Sequence, residues 1–367
     1  MRKISQYIAI CVMSLLAFIG CDVHEFPEVH NDLIPFELHL NFDTEMPFHK
    51  EITYTRSGDG STKAPLVRHD FRYIINAYRT DNVKGENRIA DTTFVFTRAE
   101  FEELNYTAHI ELREGTYDLR VWCDYVDAGS TEDKYYDTSD FSNIMLASEE
   151  NHAGSNDYRD AFRGNVSATV TDPTGYSDAI INTINNTATV EMSRPMGKFE
   201  FVSTDVEAFL TRVLQAMKEQ GLLMTPFEDL TFEQIIQNVN LEDFEVVFCY
   251  EQFMPCSFNL FTDKAATSWM KTKFKSKMLR TNNNEMMLGS DFVFVNPTGT
   301  TLDISVAVYN KQGEQMSLSR PVPVPIMRSK LTTVKGEFLT SKATGGVSIN
   351  PGYDGPDFNI PIVYSIR

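Results

Sequence analysis

The chain is short of positive charge: 33 Lys and Arg stand against 51 Asp and Glu in 367 residues. So acidic a surface repels nucleic acid, whose binding rests on neutralising phosphates. It also offers no polybasic patch for anionic lipid. Cysteine is scarce at five residues, which excludes a disulfide-rich framework. No apolar run reaches the roughly 20 residues that a membrane-crossing helix needs. Catalytic spacings are missing too. The seven histidines, at 24, 30, 39, 49, 69, 109 and 152, contain no HExxH pair. Neither a GxSxG elbow nor a phosphate-cradling glycine loop occurs. Gly58-Asp59-Gly60 reads as flexible loop, and neighbouring acids such as Glu102/Glu103 and Glu149/Glu150 read as solvated surface. Neither an enzyme nor a cofactor is expected.

What is present begins at the N-terminus. Arg2 and Lys3 open the chain, Ile8 to Ile19 form an almost unbroken apolar core, and Gly20 precedes Cys21. That is the layout of a secretory signal over residues 1–20. With Ala17, Phe18 and Ile19 upstream, Gly20-Cys21 resembles a bacterial lipobox, in which the chain is cut before the cysteine and the cysteine is acylated. An ordinary signal peptide with an incidental cysteine is the blander reading. The expectation is a lipoprotein anchored in the outer membrane through Cys21, with 31 basic against 51 acidic residues in the mature chain. Each buried methylene is worth about 0.8 kcal/mol, and more than one acyl chain makes the attachment stable. Residues 21–33 read as a polar tether.

From Ile34 the pattern is mainly β. Phe36, Leu38, Leu40 and Phe42 alternate with Glu37, His39 and Asn41, as on a half-buried strand. Further strand patterns fall at Phe71–Tyr78, Thr92–Thr97, His109–Arg113, Tyr117–Tyr125, Val166–Val170 and Thr187–Met192. In Tyr117–Tyr125, Trp122 takes the opposite parity to Tyr117, Leu119, Val121 and Cys123. Strands every dozen or so residues without long helices indicate sandwiches or barrels. Length suggests two domains, here 34–194 and 195–367, joined near Ser193–Gly197, with no clean internal repeat. The second carries a helical insertion near 204–240. Thr204-Asp-Val-Glu207 reads as a capping box; Val206, Phe209, Leu210, Val213, Leu214 and Met217 share one face, and Gly221 ends the helix. A shorter helix follows Thr231, capped by Gln234. Pro321, Pro323 and Pro325 confine their segment to a sheet edge or to extended chain. Phe358, Ile360, Ile362, Tyr364 and Ile366 form the cleanest alternation in the chain.

Several residues are candidates for function. Asp133, Asp137 and Asp140 could offer oxygen ligands to calcium, although D-x3-D-x2-D is not an EF-hand; a solvated acidic loop is the alternative. Tyr106, Tyr125, Tyr135, Tyr136 and Tyr158 lie in or near polar loops, where exposed aromatics could stack on sugar rings or anchor a protein; they could equally be core. Cys249 and Cys256 could pair only if the chain reverses between them, since seven extended steps span about 23 Å. Buried free thiols are expected instead, Cys123 included. The last strand, Phe358 to Ile366, either completes its own sheet or is donated to another subunit.

Cys21-Asp-Val-His-Glu-Phe-Pro27, Arg72-Tyr-Ile-Ile-Asn-Ala-Tyr78, Tyr117–Tyr125 and Lys134–Phe141 resemble lipoproteins of the fimbrial-anchor (minor fimbrium anchor subunit) family of Bacteroides-type bacteria. Arg328–Thr340 and Gly345–Gly352 are similar to fimbrillin-like chains. A related group of lipoproteins of unknown function fits the first domain equally well. The resemblance implies two transthyretin-like (immunoglobulin-like) β-sandwich domains, a lipid on Cys21 and display on the outer membrane. Its implied role is an anchor or accessory subunit of a fimbria-like assembly, with other surface subunits as partners. Stalk fimbrillins of the same superfamily lose their first strand to a trypsin-like cut, for which Arg56 would be the candidate here; an anchor would instead keep that strand and its lipid. A surface lipoprotein that binds glycan is the alternative.

Overall fold

A computed structural model describes residues 33–43, 69–80, 90–99, 104–150, 152–221, 231, 234–235, 239–281 and 284–341, with Arg280 and 363–366 by backbone alone. The first half contributes β1 (Ile34–Phe42), β2 (His69–Arg79), β3 (Thr92–Ala99), β4 (Tyr106–Leu112), β5 (Gly115–Asp127), β6 (Tyr136–Asp137), β7 (Ile144–Leu146), β8 (Phe162–Val170) and β9 (Thr187–Met192). They form sheets ordered β4-β1-β9 and β3-β2-β5-β8. The expected alternation of β1 holds: Ile34, Phe36, Leu38, Leu40 and Phe42 are buried. They share one core with Phe71, Tyr73, Ile75, Leu119, Val121 and Cys123 from the facing sheet. β8 and β9 close one corner, where a Cβ on Gly164 would stand 2.4 Å from Val190 Cγ1.

The second half starts with β10 (Met196–Ser203) and the helix Val206–Glu219. It continues through β11 (Phe244–Tyr250), β12 (Phe253–Pro255), β13 (Ser257–Asn259), β14 (Lys264–Ala265), β15 (Ser268–Met270), β16 (Lys273–Ser276) and β17 (Leu279–Arg280). β18 (Met286–Phe294), β19 (Thr300–Asn310), β20 (Gln315–Leu318), β21 (Val322–Ile326), β22 (Leu331–Gly336) and β23 (Val363–Ile366) complete it. One layer runs β17-β18-β10-β22-β23, the other β16-β11-β19-β20, with β21 also on β19. Pro323 and Pro325 sit opposite Asp303 and Thr301 of β19, on the edge where the missing N–H groups cost no ladder bond.

The two halves share a wiring that no sequence repeat announces. β1 lies between antiparallel β4 and parallel β9; β10 lies between antiparallel β18 and parallel β22. The helix buries Val206, Phe209, Leu210, Val213 and Leu214, and Gly221 follows it at φ +69°. Its capping box does not form. Asp205 is the N-cap, and its carboxylate instead accepts from the Thr340 amide at 2.7 Å and hydroxyl at 2.6 Å. The Thr231–Gln234 cap does form, with Thr231 N donating to Gln234 Oε1 at 2.9 Å.

Candidate functional site

The seam between the halves grows out of β5. Its even and odd residues are both buried from Leu119 to Val126. Tyr117, Leu119, Val121 and Cys123 face the first core, whereas Trp122 and Ile74 join the second. The stretch after Val126, whose composition reads as exposed loop, supplies Tyr136, Phe141, Ile144 and Leu146 to that second core. β6 and β7 extend a sheet with β13 and β14 across the seam, in the order β14-β13-β7-β6.

Polar groups brought into the seam are paired, as burial demands. Arg72 holds Asp124 through two bonds of 2.9 and 2.7 Å and donates to Thr131 O at 2.8 Å. Trp122 Nε1 donates to the same Asp124 at 3.1 Å. Arg194 grips Asp160 and lies 4.5 Å over the Phe162 ring. Arg120 rests 4.4 Å over Phe261. The densest cluster surrounds Asp291: Arg159 Nη1 pairs with one oxygen, while His152 Nε2 at 2.6 Å and Tyr250 OH at 2.7 Å reach the other. Burial alone would raise the Asp291 carboxyl, but Arg159, then His152 and Tyr250, hold it below its ordinary value. Burial, then neighbouring Arg159, pushes His152 down.

His152, Asp291 and Tyr250 are residue types of acid–base chemistry, but His152 is 7% and Asp291 1% exposed. Sealed in this way, the cluster clamps two halves together. Sequence reading missed it because its members come from residues 152, 159, 250 and 291; the available signal was Arg120, Trp122 and Asp124 on the second face of β5.

The sequence-derived candidates fare differently. Asp133, Asp137 and Asp140 do not converge on a cation. Asp133 pairs with Arg72 and accepts from Thr138. Asp137 and Asp140 each cap their own turn, accepting from Ser139 and Ser142. The Ser139 hydroxyl and then its amide hold the Asp137 carboxyl below its usual range. No cluster of potential metal ligands occurs among the described residues. Nor do the tyrosines make a binding platform. Tyr125 and Tyr136 are buried, Tyr106 packs on Tyr73 and Phe96, and Tyr135 and Tyr158 stack with His69. Cys123, Cys249 and Cys256 are free thiols; Cys123 and Cys256 are buried, whereas Cys249 is only half-buried, contrary to the expectation. Cys21, Arg56, Phe358, Ile360 and Ile362 lie outside the described residues.

Tyr364 and Ile366 lie on β23, opposite Val334 and Thr332 of β22. β23 takes the outermost place of its five-stranded sheet. No helix among the described residues is long and apolar enough to cross a membrane.

A family model described as a family of unknown function, DUF6562, matches residues 33–364. No curated protein sequence matches the chain. Among solved structures, the fimbrial anchor protein Mfa2 from Porphyromonas gingivalis is 10% identical with a TM-score of 0.40, over 90% of this chain and 97% of that one. A "putative cell adhesion protein" from Bacteroides eggerthii is 10% identical with a TM-score of 0.44, over 91% of this chain and 95% of that one.

Proposed function

The chain belongs to the family of unknown function DUF6562, and we propose that it is a lipid-anchored surface subunit working by shape rather than chemistry. In this reading the acylated Cys21 holds it to the outer membrane. Its sheets then serve as anchor or accessory subunit of a fimbria-like assembly, through strand and interface contacts. The lipobox and the resemblance of Arg72–Tyr78, Tyr117–Tyr125 and Arg328–Thr340 to fimbrial-anchor lipoproteins support it.

The observation that carries the reading is the position of β23. An outermost strand, paired among the described residues to β22 alone in its sheet, can be exchanged for a neighbour's strand without loss of ladder bonds. Deleting residues 357–367 tests the exchange: surface filaments should shorten or detach. Filaments of unchanged length and attachment, with the truncated protein folded, reject it. Cys21→Ala tests the anchor, since radiolabelled fatty acid should no longer be incorporated and the protein should leave the envelope fraction. Continued envelope attachment of this variant rejects the lipid reading.

A further inference from the structure

Ile34 pairs with Leu112 of β4, and Glu37 pairs with Thr187 of β9. Gly115 at the start of β5 pairs with Val170 at the end of β8. One end of the first sandwich therefore gathers Leu33, the turn at Arg113 and Glu114, and the loop 171–186 between β8 and β9. That loop is pinned at its base, where the Asn186 side chain exchanges two 3.0 Å hydrogen bonds with the Thr171 backbone. Beyond the base it turns outward, and its single helical turn, Asp178–Ile181, buries none of its residues.

Its composition does not suit water. Tyr176 is 47%, Ile180 46% and Ile181 40% exposed, and Leu33 beside them is 53% exposed. Half of the eight large apolar side chains exposed among the described residues lie at this end. Residues 171–186 hold two charges, Asp172 and Asp178, and no Lys or Arg. Asp172 is partly used, accepting from the Thr174 amide at 2.8 Å.

We infer that this tip docks on the lipid bilayer, with Tyr176 at headgroup level and Ile180 and Ile181 entering the acyl boundary. The inference rests on the lipid-anchor reading. Eleven residues separate Cys21 from Leu33, so the anchored chain enters the fold at this end, at most about 40 Å from the membrane. Three apolar side chains bind a bilayer weakly by themselves, but a tether of that length makes their insertion intramolecular. Tyrosine and branched aliphatics are the side chains that settle in the interface and just below it. With no basic residue in the loop, the attraction is apolar and needs no anionic lipid. The opposite end of the sandwich, where β9 passes to β10, faces away.

The test uses the full acylated chain in phosphatidylcholine/phosphatidylethanolamine vesicles containing spin-labelled phosphatidylcholine. Tryptophan is placed at the tip by Ile180→Trp, or on the second sandwich by Gln312→Trp. Flotation is scored first, because a chain that does not float with vesicles overturns the anchor and leaves the tip without its tether. In floating protein, after subtraction of the signal of the parent chain's Trp122 and Trp269, tip fluorescence should be quenched several-fold more than fluorescence from the control position. Equal quenching at the two positions, with flotation intact, overturns the docking tip alone and points to a protein partner for that surface.

Discussion

Asp291→Ala is the sharpest perturbation of the seam. The carboxylate serves Arg159, His152, Tyr250 and the Phe292 amide at once. Removing it leaves the Arg159 guanidinium, itself buried, with the Phe292 carbonyl at 3.1 Å as its remaining strong acceptor on β18. Breaking a buried ion pair from one side costs about 3–5 kcal/mol. For a chain unfolding with a urea dependence near 3 kcal/mol per molar, the midpoint should drop by roughly 1–2 M. Tryptophan fluorescence is a direct reporter. The chain has two tryptophans: Trp122 binds Asp124 in the seam, and the Trp269 ring lies 6.3 Å from His152. Replacing both charges, as Arg159→Met with Asp291→Leu, should cost less than the single change, because no charge is stranded. A midpoint shift below about 0.3 M for Asp291→Ala would refute the clamp, since so small a loss is below 1 kcal/mol.

Acid should loosen the same cluster in two stages. Burial, then Arg159, holds His152 below its ordinary value in the fold, whereas the unfolded chain gains that proton near pH 6.5, so stability should fall as pH drops below about 6.5. His152→Gln should flatten this slope in urea titrations from pH 7.5 to 5. The depressed Asp291 carboxyl stabilises above about pH 3.9, and that share is lost as pH falls through its folded value. Gly197→Ala should cost about 1–3 kcal/mol by overpacking, read as a lower melting temperature, because its Cβ would stand 2.2 Å from Met327 O. A thiol reagent should label half-buried Cys249 before Cys123, whose thiol is pushed up by burial; equal labelling of native protein would contradict the packing. A glycan array probed with soluble 22–367 should show no saturable binding, since the tyrosines that suggested a sugar platform are occupied within the protein.

Sequence pattern reveals structure here wherever one face meets core and the other meets water. β1 is legible for that reason, as is the apolar face of the helix. The prolines of β21 are legible because they can occupy only an edge. β5 is half legible: its first face reads as core, but its second face meets the other half of the chain, so Arg120 and Asp124 read as solvent-facing. Residues 127–161 mislead in the same way, because their polar groups are satisfied in the seam while Tyr136, Phe141 and Ile144 fill it. The Thr204–Glu207 cap fails because the helix starts one residue later, with Asp205 as its N-cap, and the Thr204 hydroxyl donates instead to Gly336 O at 3.3 Å, far along the chain; the Thr231–Gln234 cap forms from its own local groups. The Asp133, Asp137 and Asp140 spacing cannot reveal that each acid already has a donor at hand. Of the two groups that the sequence resembles, the matching family model is one of unknown function.

The parallel pairing in each half sets the order in which this protein can mature. Glu37 must wait for Thr187, and Lys198 for Leu331, so neither central strand finds its late neighbour until well over a hundred further residues have emerged. Contacts so distant along the chain slow folding. A chain emerging N-terminus first would leave each central strand one neighbour short until most of that half had appeared. If Cys21 carries the lipid proposed above, that end would reach its bilayer before either sheet could close.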